Sequence, residues 1–260
     1  VSRPARLLAA FVLAAIYGFI LLPLLVVVAC SLTAGELMQF PPQGLSLRWF
    51  ARFLSDDGFM QALWFSLQVA TITTVVVTIV GGMAALARRA LAGRAGRWLQ
   101  IGLTLPLLLP ELLTAIGLLF FLYPLALGKT LLGLQIAHIV VTMPFAFLAI
   151  DGALDQVDPS LEEASASLGA SFWQTLRWVI EPLVRAGMTS GALLSFVTSF
   201  DMFTVSFLLK PLGGNTLPLA LFDYLSYDFD PTAAAAATVS VVLAVLGVVV
   251  IERTVGLRTL

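Results

Sequence analysis

Charge is scarce in this sequence. Asp, Glu, Lys and Arg make up 11% of 260 residues, while 60% are hydrophobic. Soluble domains carry about 25% charged residues, so the chain falls in the membrane class. Cysteine is nearly absent: Cys30 stands alone at the end of an apolar run. A lone cysteine excludes an internal disulfide and a cysteine-rich metal site, and suits a small packing residue. Histidine is equally rare, with His138 inside another apolar run and remote in sequence from Cys30. A catalytic metal or a Cys/His nucleophile is hard to build from such a set, and His138 reads first as an interhelical hydrogen-bonding group. No G-x-x-x-x-G-K-[ST] loop occurs, so the chain lacks the phosphate cradle of an ATPase. A net charge of −1 provides no general attraction for nucleic acid.

What the sequence has in quantity is apolar length. Six runs, about 7–31, 62–86, 99–123, 131–150, 184–209 and 232–251, are long enough to be membrane helices. Crossing about 30 Å of hydrocarbon takes roughly 20 helical residues. The first run follows Arg3 and Arg6 like a signal peptide, but it is too long and no small-residue cleavage site follows a short core, so a retained span is expected. In the first connection, Ser46 is placed to cap a short amphipathic helix carrying Leu47, Phe50 and Leu54 at a membrane surface. Tyr123-Pro124 and Gly128 make a turn between runs three and four. Residues 210–231 read as a polar loop, and Asp230-Pro231 as the N-cap and first turn of the last span. One domain, without internal repeats, is expected. Basic residues fall ten to four on the two sets of run ends: Arg3, Arg6, Arg88, Arg89, Arg94, Arg97, Arg177, Arg185, Arg253 and Arg258 against Arg48, Arg52, Lys129 and Lys210. The positive-inside rule therefore places both termini and residues 151–183 in the cytoplasm.

Residues 158–182 break the apolar pattern and read as two short helices hinged at a glycine. Ser160 and Glu163 have capping-box spacing, as do Ser171 and Gln174. Gly169 suits the left-handed position that ends the first helix. Leu161, Ala164 and Leu168 share one face of the first helix, and Phe172, Leu176 and Val179 one face of the second. A two-helix knuckle this short cannot fold alone, so its apolar faces need a partner.

Ionisable residues within the runs are the other informative feature. A carboxylate at mid-bilayer costs about 2.5–3.5 kcal/mol on insertion scales, so it should face protein, water or a ligand. Asp201 lies in run five, either as a solute contact facing a pathway or as a polar lock near Thr198 and Ser199. Glu111 follows Pro110, with Pro106 one turn earlier, which predicts a kinked span with Glu111 near a helix N-terminus, in a pathway or a structural role. Asp223, Tyr224, Tyr227, Asp228 and Asp230 read by default as a solvated loop, and alternatively as an acidic, aromatic surface that attracts an amine or a docking partner.

Glu163, Ala164, Gly169 and Pro182 match the spacing of the EAA loop in ABC-importer permeases, with Ser165 for the second Ala, Val179 for Ile and Glu181 for Leu. The chain resembles that family over nearly its whole length. Residues 105–111 (Leu-Pro-Leu-Leu-Leu-Pro-Glu), 195–203 (Ser-Phe-Val-Thr-Ser-Phe-Asp-Met-Phe) and 216–219 (Thr-Leu-Pro-Leu) resemble the second permease subunit of spermidine/putrescine-type importers. Met202 departs from it where a second Asp is usual, and Phe65 where Asn is common. The resemblance implies an all-α membrane protein with six transmembrane helices of the type I importer kind and a cytoplasmic two-helix coupling loop. It implies a bacterial inner-membrane permease that conducts a small solute, a polyamine or similar amine first, with amino acids, phosphonates or ferric iron as alternatives. Implied partners are a homologous permease, two ABC ATPase copies, a periplasmic solute-binding protein and the lipid bilayer. ATP and magnesium would sit on the ATPase, and no cofactor on this chain. Glu162, Glu163, Ala164, Gly169 and Ala170 would meet the ATPase. Asp201, Glu111, Phe200 and Phe203 would line the pathway, with Asp223, Tyr224 and Tyr227 as outer contacts. An intramembrane enzyme built on Asp201 and His138, and a channel without a motor, are the readings of a different class.

Overall fold

The computed structural model describes residues 3–91 and 93–255; the side chains of Arg3 and Arg253, and the whole of Arg258, used in the charge count above, lie outside the described residues. Regular structure among the described residues is helical, with one isolated antiparallel bridge between Thr33 and Leu45. In chain order the helices are α1 (Arg3–Ser31), α2 (Arg48–Ser55), α3 (Asp57–Ala90), α4 (Arg94–Leu108), α5 (Glu111–Leu122), α6 (Leu131–Leu154), α7 (Pro159–Ser167) and α8 (Phe172–Thr175). A π turn at Leu176–Ile180 joins α8 to α9 (Glu181–Phe200), followed by α10 (Phe203–Leu209), α11 (Leu217–Tyr227) and α12 (Thr232–Val255).

Four stretches among the described residues are long and apolar enough to cross a membrane: Leu8–Ser31, Asp57–Ala90, Leu131–Leu154 and Phe172–Phe200. Thr232–Gly247 is a shorter apolar stretch. The run expected as one kinked span over 99–123 is instead a broken pair, α4 and α5, bent by 110°. Pro110 supplies the reason. It has no N–H to continue α4, and it holds Leu109 extended, at φ −97° and ψ 143°.

The expected span over 184–209 is displaced at both ends. Its helix begins at Phe172 inside the knuckle and stops at Phe200. Pro182 would break a regular helix, because its ring clashes with the carbonyl four residues back. The π turn just before it relieves that crowding, with the Glu181 N–H donating to the Leu176 carbonyl five residues back. The 210–231 segment is not only a loop, since α11 lies inside it. Ser66 Oγ accepts the N–H of Leu217 at 2.8 Å and fixes the start of α11, while Leu217 and Leu219 are buried.

The described residues form two compact units. One takes residues up to Met60 together with Ala220–Leu243; the other takes Gln61–Leu219 and the residues from Ala244 on. In the first unit, Ser46 Oγ accepts the N–H of Arg48 at 3.2 Å, although Leu47 holds the cap position of α2. The buried face of α2 is Trp49 and Phe53, and Leu47 and Leu54 are exposed. The face expected at a membrane surface is thus left outward, and the opposite side of α2 packs inward. Trp49 is buried with its N–H still paired, donating to the Thr33 carbonyl at 2.9 Å. Phe53, Phe59 and Tyr224 pack in sequence as tilted rings, with centroids 5.3 and 5.1 Å apart. Asp230 accepts the N–H of Thr232 at 2.8 Å and pairs with Arg52 at 2.8 Å, so it caps α12 as expected.

In the second unit α6 runs through two apolar clusters. One gathers Val69, Ala115, Leu122, Leu134, Ala137, Met202, Val205 and Leu209. The other gathers Ala85, Phe147, Ile150, Leu154, Val157, Ile180 and Val184. Helix α9 approaches α6 through Gly187 and Gly191, which face Ala146, Ala149 and Ala153. Small residues four apart let two membrane helices bring their backbones together. At the end of α3, Arg88 binds both Asp151 and Asp155, and Arg89 donates to the carbonyls of Leu154 and Val157. These two arginines clasp the end of α6 at the point where the chain enters the knuckle.

Candidate functional site

The knuckle folds from local signals. Asp158, not Ser160, caps α7, accepting the N–H of Ser160 at 2.9 Å. Proline decides between them. Pro159 has no N–H and a fixed φ suited to the first helical position, so the cap must precede it. The Ser160 amide bond, and after it the Ser160 hydroxyl, hold the Asp158 carboxyl below the usual carboxylate range. The helix ends as expected at Gly169, with φ +80°. The Gly169 N–H donates to Ala166 at 2.9 Å and the Ala170 N–H to Ser165 at 3.1 Å, the two bonds of a Schellman motif. Ser171 and Gln174 form the full capping box of α8. Ser165 Oγ and Thr175 Oγ1, 2.8 Å apart, tie the two short helices together.

The two adjacent glutamates of α7 differ. Glu162 is half-buried, with Oε1 2.9 Å from Arg89 Nη2 but out of line for a directed hydrogen bond, so charge pairing holds it. Glu163 and Ala164 are exposed, and Ala170 is half-buried beside the hinge. The apolar faces remain uncovered by the described residues: Leu168 is 89% exposed, Trp178 78%, and Leu161, Phe172 and Trp173 are exposed as well.

The far end of the same helix carries the second candidate site. Asp201 is the C-cap of α9 and not a mid-helix residue, with its N–H donating to Val197 at 3.1 Å. The chain breaks there and restarts at Phe203. The Asp201 carboxylate is exposed and has no side-chain partner among the described residues. Phe200 is buried and Phe203 half-buried on either side of it. The alternative polar lock near Thr198 and Ser199 does not form, and Ser199 binds His138 instead, at 2.8 Å. His138 makes the expected interhelical bonds, and nothing pairs it with Asp201. Glu111 is the first residue of α5 and is exposed, at the helix N-terminus as expected.

Asp223, Tyr224 and Tyr227 lie on α11 and not in a loop. Tyr227 is 91% exposed, and Asp223 and Tyr224 are half-buried. Burial first of all, and then the neighbouring Asp230 carboxylate, push the Tyr224 hydroxyl above its usual range. No group of three or more His, Cys, Asp or Glu gathers among the described residues in a way that could hold a metal. Sequence reasoning missed Gln135, whose amide donates to the Val69 carbonyl and to Thr73 in the core, and the Arg88–Arg89 clasp. Nothing local signals a pairing across more than sixty residues. The Gly187–Gly191 spacing was a readable signal that went unused.

Residues 77–256 match the family model of the binding-protein-dependent transport system inner membrane component. The chain is similar to the spermidine/putrescine transport system permease protein PotC of Haemophilus influenzae, 28% identical over 92% of each chain. It is 30% identical, over 90% of this chain and 89% of the relative, to PhnV of Salmonella typhimurium, a permease named for 2-aminoethylphosphonate transport. Its fold is similar to a chain in the crystal structure of the bacterial alginate ABC transporter in complex with alginate pentasaccharide-bound periplasmic protein, with TM-score 0.71 and 16% identity over 99% of this chain and 96% of that one. The matches agree with the helical architecture, and ATP hydrolysis in such importers belongs to a separate chain. This chain belongs to the inner-membrane components of binding-protein-dependent transport systems: it is a multi-pass permease subunit of an ABC importer, a transport subunit and not an enzyme.

Proposed function

We propose that this permease forms half of a translocation pathway for a small protonated amine, and that residues 158–182 are the surface through which an ATPase drives it. The other half is a homologous permease. Two ATPase copies, which hold the ATP and magnesium, sit on the cytoplasmic side, and a periplasmic solute-binding protein delivers cargo from the other. The ten-to-four distribution of basic residues supports cytoplasmic termini and a cytoplasmic knuckle. ATP-driven closure of the ATPase pair pulls on the knuckle and rocks the spans from α4 to α10 between outward-open and inward-open arrangements. This chain contributes differential stabilisation of those two arrangements and no covalent chemistry.

The observation that carries the coupling reading is the contrast within α7. Glu162 is drawn inward to Arg89, while Glu163 stands exposed on the same short helix, which also leaves Leu161 and Leu168 exposed. A helix that exposes both a carboxylate and apolar side chains suits a groove carrying a basic group. Glu163→Lys should leave the protein inserted but detach or uncouple the ATPase. Normal transport-linked ATP hydrolysis in that variant refutes the assignment.

The amine reading rests on Asp201. Spermidine, putrescine and 2-aminoethylphosphonate, the compounds in the relatives' names, all carry a primary amine that is cationic at neutral pH. An unpaired carboxylate at a helix C-terminus, where the dipole is negative, favours such a cation. Glu111, Phe200 and Phe203 are further pathway candidates, and Asp223, Tyr224 and Tyr227 an outer approach. Asp201→Asn keeps size and removes charge, so uptake of the amine should fall sharply while basal ATP hydrolysis persists. Near-wild-type uptake removes the cation contact from this residue, and improved uptake points to anionic cargo.

A further inference from the structure

His138 is wholly buried on α6, and its two ring nitrogens reach two different helices. Nδ1 lies 2.8 Å from Ser199 Oγ, next to the last residue of α9. Nε2 lies 3.2 Å from Ser206 Oγ, in the first turn of α10. The two serines flank the break at Asp201–Met202. Ser206 Oγ also donates to the Met202 carbonyl at 2.6 Å, a backbone group of the break itself.

Proton counting fixes the direction of every bond. A serine hydroxyl has one proton, and Ser206 gives its proton to Met202. Ser206 must therefore accept from Nε2–H. A neutral imidazole protonated on Nε2 has its lone pair on Nδ1, which accepts from the Ser199 hydroxyl. The chain runs Ser199 O–H to Nδ1, Nε2–H to Ser206 Oγ, and Ser206 O–H to the Met202 carbonyl. Each proton is used once, and each of these groups is paired in a buried setting where an unpaired one is costly. Asp201 has no side-chain partner among the described residues, so its location depends on the backbone on either side of it, and that backbone is pinned from the buried side by this network.

We propose that His138 is a positioning residue: it staples α9 to α10 across their break and so sets where Asp201 is presented to the pathway. The inference deepens the reading of Asp201 as a solute contact, and its geometric half is tested without any solute.

In the assembled importer, Asp201→Cys is introduced with Cys30→Ser, and the rate of reaction with a small cationic methanethiosulfonate is measured. His138→Phe fills the volume without hydrogen bonds, and Ser206→Ala removes the bond to Met202. Each should change the labelling rate at position 201 by about fivefold or more, the equivalent of ~1 kcal/mol and the net worth of one hydrogen bond. His138→Gln, whose amide N–H can still donate to Ser206 and whose amide oxygen can still accept from Ser199, should stay within about twofold of wild type, since it keeps both bonds. Labelling that is unchanged in His138→Phe, or equally changed in His138→Gln, overturns the staple. Altered labelling together with normal putrescine uptake by Asp201→Asn keeps the staple and removes the solute contact. Where the staple and the contact both hold, adding His138→Phe to Asp201→Asn lowers uptake no further than Asp201→Asn alone; multiplied losses show that His138 acts elsewhere.

Discussion

Gly187→Ala is a change of one methyl group at a place where two helices leave no room for it. A Cβ built at Gly187 would lie 2.5 Å from the Ala149 carbonyl oxygen and 2.5 Å from Ala153 Cβ. Favourable contacts between carbon atoms need about 3.5–4.0 Å, so α9 must withdraw from α6 by roughly 1 Å. Neither obstacle can rotate away: one is backbone and the other is a side chain with no rotamer. Overpacking of this kind costs about 1–3 kcal/mol, part of which is offset by alanine's better helix propensity, about 0.5–1 kcal/mol over glycine. Gly191→Ala meets Ala146 Cα at 2.9 Å and should cost less. Gly152→Ala, on α6, meets nothing within 4 Å and should be neutral or slightly stabilising. The assay is thermal unfolding of the purified permease in lipid nanodiscs, with the order Gly187 worst, Gly191 intermediate and Gly152 least affected. Gly187→Ala as stable as wild type would refute close α6–α9 packing as described.

Gly169→Val places a β-branched residue at φ +80°, which should melt the hinge and cut ATPase co-purification more than Gly169→Ala does. Arg89→Glu should loosen the knuckle and lower the solute imported per ATP, and adding Glu162→Arg should restore part of the loss; no restoration shows that their 2.9 Å contact is not energetically coupled. Burial acts first to raise the Asp230 carboxyl, but contacts to Thr232 and Tyr224 and the Arg52 charge outweigh it and hold it below the usual range. A depressed carboxylate stabilises the fold above the unfolded value of about 3.9 and loses that contribution as pH falls through the lower folded value. Arg52→Gln should therefore shift acid unfolding, followed by tryptophan fluorescence, to higher pH, and an unchanged midpoint counts against the pair. Cysteines at Gly93 and Pro42 should label from opposite sides of the membrane, Gly93 from the cytoplasm, and labelling of both from one side overturns the assigned orientation.

What was legible in the sequence is what chain neighbours decide. The hinge at Gly169 and the capping box at Ser171 involve residues within one turn of each other, and both formed as their spacing implied. Ser160 lost the cap to Asp158 for an equally local reason, the missing N–H of Pro159. The errors arose where a remote partner chose between equal local options. On α2 the inward side, Trp49 and Phe53, could not be read from its neighbours, because its anchor is the remote Thr33 carbonyl that accepts the indole N–H. Asp201 looked like a residue inside a span because no glycine or proline marks the end of α9. The break is held from outside, by Ser199 and Ser206 on His138. Helix α11 was hidden by the polar residues around it, and its anchor, Ser66, lies in a different apolar run.

The 29 residues from Phe172 to Phe200 form one continuous helix, with its π turn inside it, and this has a mechanical consequence. At about 1.5 Å per residue the rod is roughly 43 Å long, against about 30 Å of hydrocarbon, so a rod held upright projects by some 13 Å from the bilayer. The projecting part fits the knuckle, and the opposite tip is Asp201. A tilt of about 10° around the middle of such a rod swings each tip by nearly 4 Å, in opposite directions, given its length. A push on Trp173 and a displacement at Asp201 are then the two ends of one lever, and gearing between them needs no relay of side chains.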